Sequence, residues 1–394
     1  MRILFVKQSL AWPRSSGHDV HTFHLMKACT ELGHEVALAT VQEPRAEAID
    51  GLPLVARARL GDIAGVDPSS LVYTKYQERF RSYWGVERRF AAALRQMSLD
   101  VQPHAVVIAG LEALGYFPGV PESCVRVWYA ADEWVRHHLS LVQWRDRASW
   151  QHVRPALVKG LYERVYAPLM DRAWVVSAPE QTAMRRYAGV RHVDIVPNGV
   201  DAHHFAPRGD ADLPRSAVFW GRLDFEPNIQ GLEWFVANVW PAVRARVPDA
   251  QLTVIGFNPT SAVEALCQTP GIELLANLDD LRSEVARRQV VTLPFVTGGG
   301  IKNKLLEAAA MGKPIVCTPR GTEGLHNVGA GVLRRADAAA EWVSALEALW
   351  GSSELRRRQG DEARAWVMAE HSWTHAAKAA VAGIEESLRA RGHA

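Results

Sequence analysis

The sequence predicts an α/β protein made of two doubly wound parallel-sheet domains, and three observations carry that prediction. Short apolar runs of strand length alternate with segments of helical period along most of the chain. The rhythm starts twice, at residues 3–6 and again at 217–221. The chain has 394 residues, long for one hydrophobic core and comfortable for two.

In the first half, the apolar run at 3–6 is followed by a loop with Pro13, Ser15, Ser16 and Gly17. A helix is expected over about 18–32, where Val20, Phe23, Leu25, Met26, Cys29 and Leu32 recur at helical spacing until Gly33. A strand at 35–40 then completes a strand–helix–strand unit, which implies parallel pairing. Further strands are expected at 105–109, 125–129, 174–177 and 193–196. The second series opens at 217–221 and continues with one helix over 229–247, strands at 251–256, 272–275 and 290–295, a helix after 302 and a strand at 315–317. The junction lies near 197–207, where Pro197-Asn198-Gly199-Val200-Asp201 makes a turn-rich segment. Residues from 353 onward read as helix.

Composition narrows the function. Hydrophobic residues at 48% and charged residues at 22% describe an ordinary globular chain, and 45 basic against 43 acidic residues give no global drive toward nucleic acid. Cys29, Cys124, Cys267 and Cys317 are scattered, which excludes a zinc knuckle, gives no disulfide framework and fits a reducing cytoplasm. No apolar run is long enough to cross a bilayer, so the expectation is a cytoplasmic protein, at most peripheral at a membrane.

The most informative stretch runs from Thr297 through Gly298-Gly299-Gly300-Ile301-Lys302-Asn303-Lys304-Leu305-Leu306-Glu307 to Gly312-Lys313-Pro314. The glycines let the backbone approach a ligand, and the helix behind them would present free amides and its positive end there. Lys302 and Lys304 add positive charge where a helix tolerates it poorly, which asks for a bound anion such as a diphosphate. Glu307, three residues after Lys304, could accept hydrogen bonds from sugar hydroxyls. The competing reading of a glycine triplet alone is a turn into an ordinary buried helix.

This stretch resembles the donor-site signature of retaining nucleotide-sugar glycosyltransferases of family 4, and its lysine-containing form is similar to a branch found among bacterial exopolysaccharide transferases. The resemblance is strong from about 196 to 318 and implies the GT-B fold, two Rossmann-like domains facing a cleft. Domains are then expected at 1–200 (acceptor side) and 201–375 (donor side), with a helix over 376–394 returning to the first. Glu307 matches the second of two motif glutamates, while the first falls at Gly299, which lacks a side chain for the sugar ring. Gly221-Arg222-Leu223 resembles the turn whose arginine contacts the pyrophosphate. Gln230 occupies the place of a second cation common in relatives, leaving Lys302 or Lys304 as substitute.

The loop ending at Gly17 resembles the family's glycine loop. It is not a dinucleotide fingerprint, since no G-x-G-x-x-G follows the first strand. Asp132 matches the second member of a His-Asp pair whose histidine position holds Ala131, and a carboxylate there could orient an acceptor hydroxyl or bind the sugar, or, with Glu133, cap the next helix. The resemblance therefore implies catalytic roles for Asp132, Arg222 and Lys304, and donor contacts from Gly17, Gly221, Arg222, Gly299, Gly300, Ile301, Lys302, Lys304, Leu305 and Glu307. No metal and no cofactor beyond the nucleoside diphosphate sugar are expected, and the acceptor would be a glycan or a lipid-linked sugar. Replacement of three family residues by Gly299, Gln230 and Ala131 keeps open a non-catalytic scaffold or sugar-nucleotide sensor, and an epimerase that releases free sugar is the rival among enzymes. His18, His21 and His24 are expected on a helix surface or in a cleft, not as metal ligands. The basic, aromatic segment from Tyr73 to Arg95 reads as a solvated helical face, with contact to anionic lipid as its alternative.

Overall fold

The computed structural model describes residues 1–12, 17–142, 147–298 and 300–392. Its strands form two parallel sheets. The first contains β1 (Arg2–Lys7), β2 (Glu35–Thr40), β3 (Leu54–Arg59), β4 (Ala105–Ala109), β5 (Val125–Ala131), β6 (Arg172–Val175) and β7 (Val193–Ile195), in the order 3-2-1-4-5-6-7. Each apolar run is continuous because both faces of its strand are covered: Leu4 and Val6 enter one core, Ile3 and Phe5 the other.

The second sheet repeats the winding with β8 (Leu213–Arg222), β9 (Gln251–Phe257), β10 (Ile272–Ala276), β11 (Arg288–Leu293), β12 (Ile315–Cys317) and β13 (Arg334–Arg335), in the order 10-9-8-11-12-13. In both sheets the order reverses beside the first strand of the series, the place where open α/β sheets bind ligands beyond the strand ends. The fold is thus α/β with two Rossmann-like parallel-sheet units. One unit contains residues 1–199 and 373–394, the other 200–372. The helix Trp373–Ala390 belongs to the first, where Ala376, Ala380 and Ile384 are buried in the same core as β1 and β4.

Three expectations are corrected. The single helix over 229–247 is two, Glu226–Asn238 and Trp240–Arg246, because Pro241 has no N–H to donate and its ring crowds the preceding turn. β3 was not expected: it is an outer strand with alternating burial, so its small alanines and arginines make no apolar run. β6 starts two residues before the expected strand, since Arg172 is drawn into the ladder by a two-pronged ion pair to Asp194 at 2.6 and 2.7 Å.

Candidate functional site

The helix Asn303–Ala310 buries Leu305, Leu306, Ala308, Ala309 and Ala310, so its other face is left to Lys304 and Glu307. Each fully buried leucine contributes on the order of 1.5 to 3 kcal/mol, enough to seat the helix against the sheet and hold the polar pair in place. Lys302 is the residue before the first turn, and its own side chain does not cap this end. Gly312, at φ +65°, ends the helix before the strand β12.

The two lysines do different things. Lys302 Nζ turns back on the glycine loop and donates to the carbonyls of Gly298 (3.0 Å) and Gly300 (3.1 Å). Lys304 Nζ instead crosses to the end of β8, where it donates to Asn228 Oδ1 at 2.7 Å and lies 4.6 Å from the ring centre of Phe219 and 5.1 Å from that of Phe295. Burial among these rings brings the Lys304 ammonium down to about 7, with Lys302 adding repulsion and Glu307 opposing both. Burial likewise pushes the Glu307 carboxyl up from its ordinary value, against the Trp220 indole, which donates to Glu307 Oε2 at 2.9 Å, and against Lys304.

Gly221 is what allows the crossing. Its φ is +152°, and a β-carbon there would meet Lys304 Nζ at 2.5 Å and Asn228 Nδ2 at 2.9 Å. Its partner in the β8–β9 ladder is Gly256, whose β-carbon would fall 1.8 Å from the Gly221 carbonyl oxygen. Two glycines in register therefore bring the strand ends close and open the space the lysine fills. Asn228 completes the arrangement: its amide nitrogen donates to the Arg222 carbonyl at 2.7 Å while its oxygen holds Lys304.

The Arg222 guanidinium forks onto Asp224, with both distances 3.0 Å, and stays more than half exposed. That pairing holds the Asp224 carboxyl below the usual range. Gln230, at the expected second cation, accepts from Thr297 Oγ1 at 2.6 Å and donates to Glu226 at 2.7 Å, tying the glycine loop to the helix Glu226–Asn238. Gly300 has φ +71°, Ile301 is buried, and Leu305 gives its side chain to the core and its N–H to the Lys302 carbonyl. Gly299, Ser15 and Ser16 lie outside the described residues.

Gly17 and Asp132 belong to the other unit. Gly17 opens the helix Gly17–Glu31. Asp132 follows the end of β5, after Ala131 at φ +61°, and its N–H donates to the Ala130 carbonyl at 2.9 Å. The capping role falls to Glu133, whose carboxylate accepts from the N–H groups of Val135 (3.2 Å) and Arg136 (2.6 Å). Burial lowers His137, and Asp132 opposes that shift by favouring its charged form.

Of the three histidines, His18 and His24 are partly exposed on the helix Gly17–Glu31, and only His21 departs from a surface position. His18 and His21 each stack with Tyr129 at a ring-centre distance of 4.8 Å, and His24 stacks on Trp373 at 4.9 Å. His21 is 1% exposed, not on a surface, because helical steps of three drift just enough to follow this ladder of rings. Burial holds His18 down to about 3 and His21 down to about 4, so both are neutral. In the segment from Tyr73 to Arg95, Arg81 and Arg88 share Glu78, while Tyr76 and Tyr83 are largely exposed on the helix Lys75–Tyr83.

Asn228 and Trp220 are the site residues that sequence reasoning missed. Trp220 stands beside Gly221 in a strand whose apolar run explains any tryptophan, and Asn228 follows Pro227 in a helical first turn, where an asparagine has ordinary local uses.

Residues 214–352, which include Gly221, Asn228, Lys304 and Glu307, match the family model described as "Glycosyl transferases group 1". A phosphatidyl-myo-inositol mannosyltransferase of Propionibacterium freudenreichii subsp. shermanii is 31% identical over 160 residues, 37% of this chain and 38% of that protein, so the chain matches well under half of that relative's length. Among solved structures, sucrose-phosphate synthase of Thermosynechococcus elongatus superposes with a TM-score of 0.69 at 16% identity, covering 99% of this chain and all of the other. HepE of Anabaena, in complex with UDP and glucose, gives 0.65 at 13% identity, covering 98% and 99%. The structural neighbours are glycosyltransferases of the GT-B type, and the likeness establishes the fold.

Proposed function

We propose that the protein is a glycosyltransferase that binds a nucleoside diphosphate sugar in the unit of residues 200–372 and moves the sugar to a glycan or lipid-linked acceptor, with retention of configuration and without a metal. The observation that carries this reading is Lys304: a desolvated ammonium, held by Asn228 at 2.7 Å in the first turn of a helix, with Glu307 one turn on.

In this reading the leaving diphosphate sits at the start of the helix Asn303–Ala310. Lys304 and the first amides meet the negative charge that grows as the glycosidic bond breaks, and Arg222, swung from Asp224, reaches the outer phosphate. Glu307, oriented by Trp220, accepts from hydroxyls of the nucleotide ribose. Lys302 fixes the glycine loop and does not contact phosphate. In the other unit, Asp132 serves the acceptor hydroxyl. The acceptor face includes the exposed Tyr76 and Tyr83 with Lys75 and Arg79, a set suited to peripheral contact with anionic lipid at the inner face of the cell membrane.

Calorimetry with UDP, GDP, ADP and the thymidine diphosphate tests the site: one of them binds at micromolar to millimolar concentration, and failure of all four removes the donor assignment. Turnover of the matching sugar nucleotide in the presence of EDTA, with NMR of the first-formed anomer, tests metal independence and retention. Loss of activity in EDTA with recovery on Mg²⁺, or an inverted product, sinks those two parts.

A further inference from the structure

A recess of about 630 Å³ opens in the unit of residues 200–372, away from the lysine site, between β13, the helix Ala339–Gly351 and the helix Ser353–Glu370. Small residues contribute to its volume: Ala340 and Ser344 on the helix Ala339–Gly351 leave space that larger side chains would fill. Arg334 and Arg335 of the edge strand and Arg358 of the helix Ser353–Glu370 line it. None of the three guanidiniums has an ion-pair partner among the described residues, whereas most other arginines of this unit are paired with a carboxylate.

Two more features give the recess a chemical preference. The helix Ala339–Gly351 begins at its wall, where the Glu341 carboxylate already meets part of the positive end of the helix. The acids nearby are acceptors suited to hydroxyls. Glu341 has one oxygen committed to the N–H groups of Asp337 (2.7 Å) and Ala338 (3.2 Å), leaving the other for a ligand, and the Glu362 carboxylate lies against Gly331. A bare anion would use the arginines alone and meet these carboxylates as repulsion. A phosphorylated sugar uses both, since guanidinium forks match phosphate oxygens and carboxylates accept from ring hydroxyls.

We infer that this recess is a binding site for a sugar phosphomonoester, distinct from the site built on Lys304. The volume is that of a small-molecule pocket, and three arginines without carboxylate partners among the described residues line it. The assignment stands whether or not the Lys304 site binds a nucleotide sugar, because it shares no residue with it.

The test is calorimetry on the full chain with glucose 6-phosphate and, separately, inorganic phosphate, each with and without saturating UDP. Glucose 6-phosphate binds saturably at submillimolar concentration in both conditions, inorganic phosphate binds roughly tenfold more weakly or worse, and Arg335→Ala and Arg358→Ala each weaken glucose 6-phosphate by about tenfold or more while UDP binding is unchanged. Both arginines are exposed, so the variants fold, and circular dichroism checks that. Absence of saturable binding in the parent at millimolar concentration overturns the site. So does displacement of glucose 6-phosphate by UDP, which would put it in the Lys304 site, or undiminished affinity in the Arg335→Ala/Arg358→Ala double variant. Equal affinity for inorganic phosphate overturns the sugar part of the assignment.

Discussion

At the scale of single residues, the chemistry turns on a lysine whose charge is conditional. Lys304 falls from 10.5 to about 7 in the folded protein, so between those values the unfolded chain holds more protons than the native one. The cost of the buried ammonium is therefore fully present below about pH 7 and is relieved as pH rises toward 10.5. Stability should climb with pH across that window, and Lys304→Met should flatten the climb, as chemical denaturation at pH 7 and pH 9.5 would reveal. Glu307 acts on the acid side: its raised carboxyl makes the native state the better proton binder just above the ordinary glutamate range, and stability contributed there is lost as pH rises through the folded value. A bound diphosphate reverses the preference of Lys304. At pH 8 nucleotide binding should take up a proton, measurable as different apparent heats in buffers of different ionisation enthalpy, and the uptake should vanish in Lys304→Met. If it persists, another group carries it. Lys304→Ala should lower kcat on the order of a hundredfold, whereas Lys302→Ala, which only loosens the glycine loop, should raise KM more than it lowers kcat. Equal kinetic defects in the two would refute the division of labour drawn from their hydrogen bonds.

At the scale of elements, the site depends on how closely two strand ends approach. Gly256→Ala would put a methyl 1.8 Å from a backbone oxygen of the neighbouring strand, which cannot swing aside like a side chain. The expected loss is about 2 to 4 kcal/mol in urea denaturation, with nucleotide binding lost in the fraction that folds. Gly221→Ala meets only the tip of a flexible lysine and an amide, so it should cost less stability, about 1 kcal/mol beyond its backbone strain, and weaken nucleotide binding by displacing Lys304. A Gly256→Ala protein as stable as the parent would show that the ladder can shift. Much at this scale was legible in the sequence. Strands buried on both faces announce themselves as continuous apolar runs, and the glycine loop, the lysines and Glu307 were visible as one segment. The alternating β3 and the two-residue β13 were not, because an edge strand needs no apolar run. Asn228 was hidden for another reason: its role exists only once the chain brings it beside a lysine far along the sequence.

At the scale of the whole molecule, the chain order and the folded units do not coincide. Residues 200–372 form one unbroken unit, whereas the other is assembled from 1–199 and 373–394. The isolated segment 200–372 should fold and bind the same nucleoside diphosphate as the full chain, with calorimetry as the check; a molten fragment would show that the unit needs its neighbour. Two separate windings were legible from the restart of the strand rhythm at 217, and the turn-rich stretch before 207 pointed to the junction. Assignment of the last helix to the first unit could be reached only through resemblance, since a helix with alanines on its buried side fits many surfaces.

The discontinuity has a consequence for synthesis. As the chain leaves the ribosome, residues 1–199 emerge first yet lack Trp373, Ala376, Ala380, Val381 and Ile384, which share a core with β1, β2 and β4. Until those residues are made, the side of the helix Gly17–Glu31 that receives the last helix stays bare, while 200–372 already has all it needs. The unit translated first is thus the one completed last, and a chain interrupted before residue 373 would release a finished half joined to a sticky, unfinished one, a substrate for chaperones and proteases.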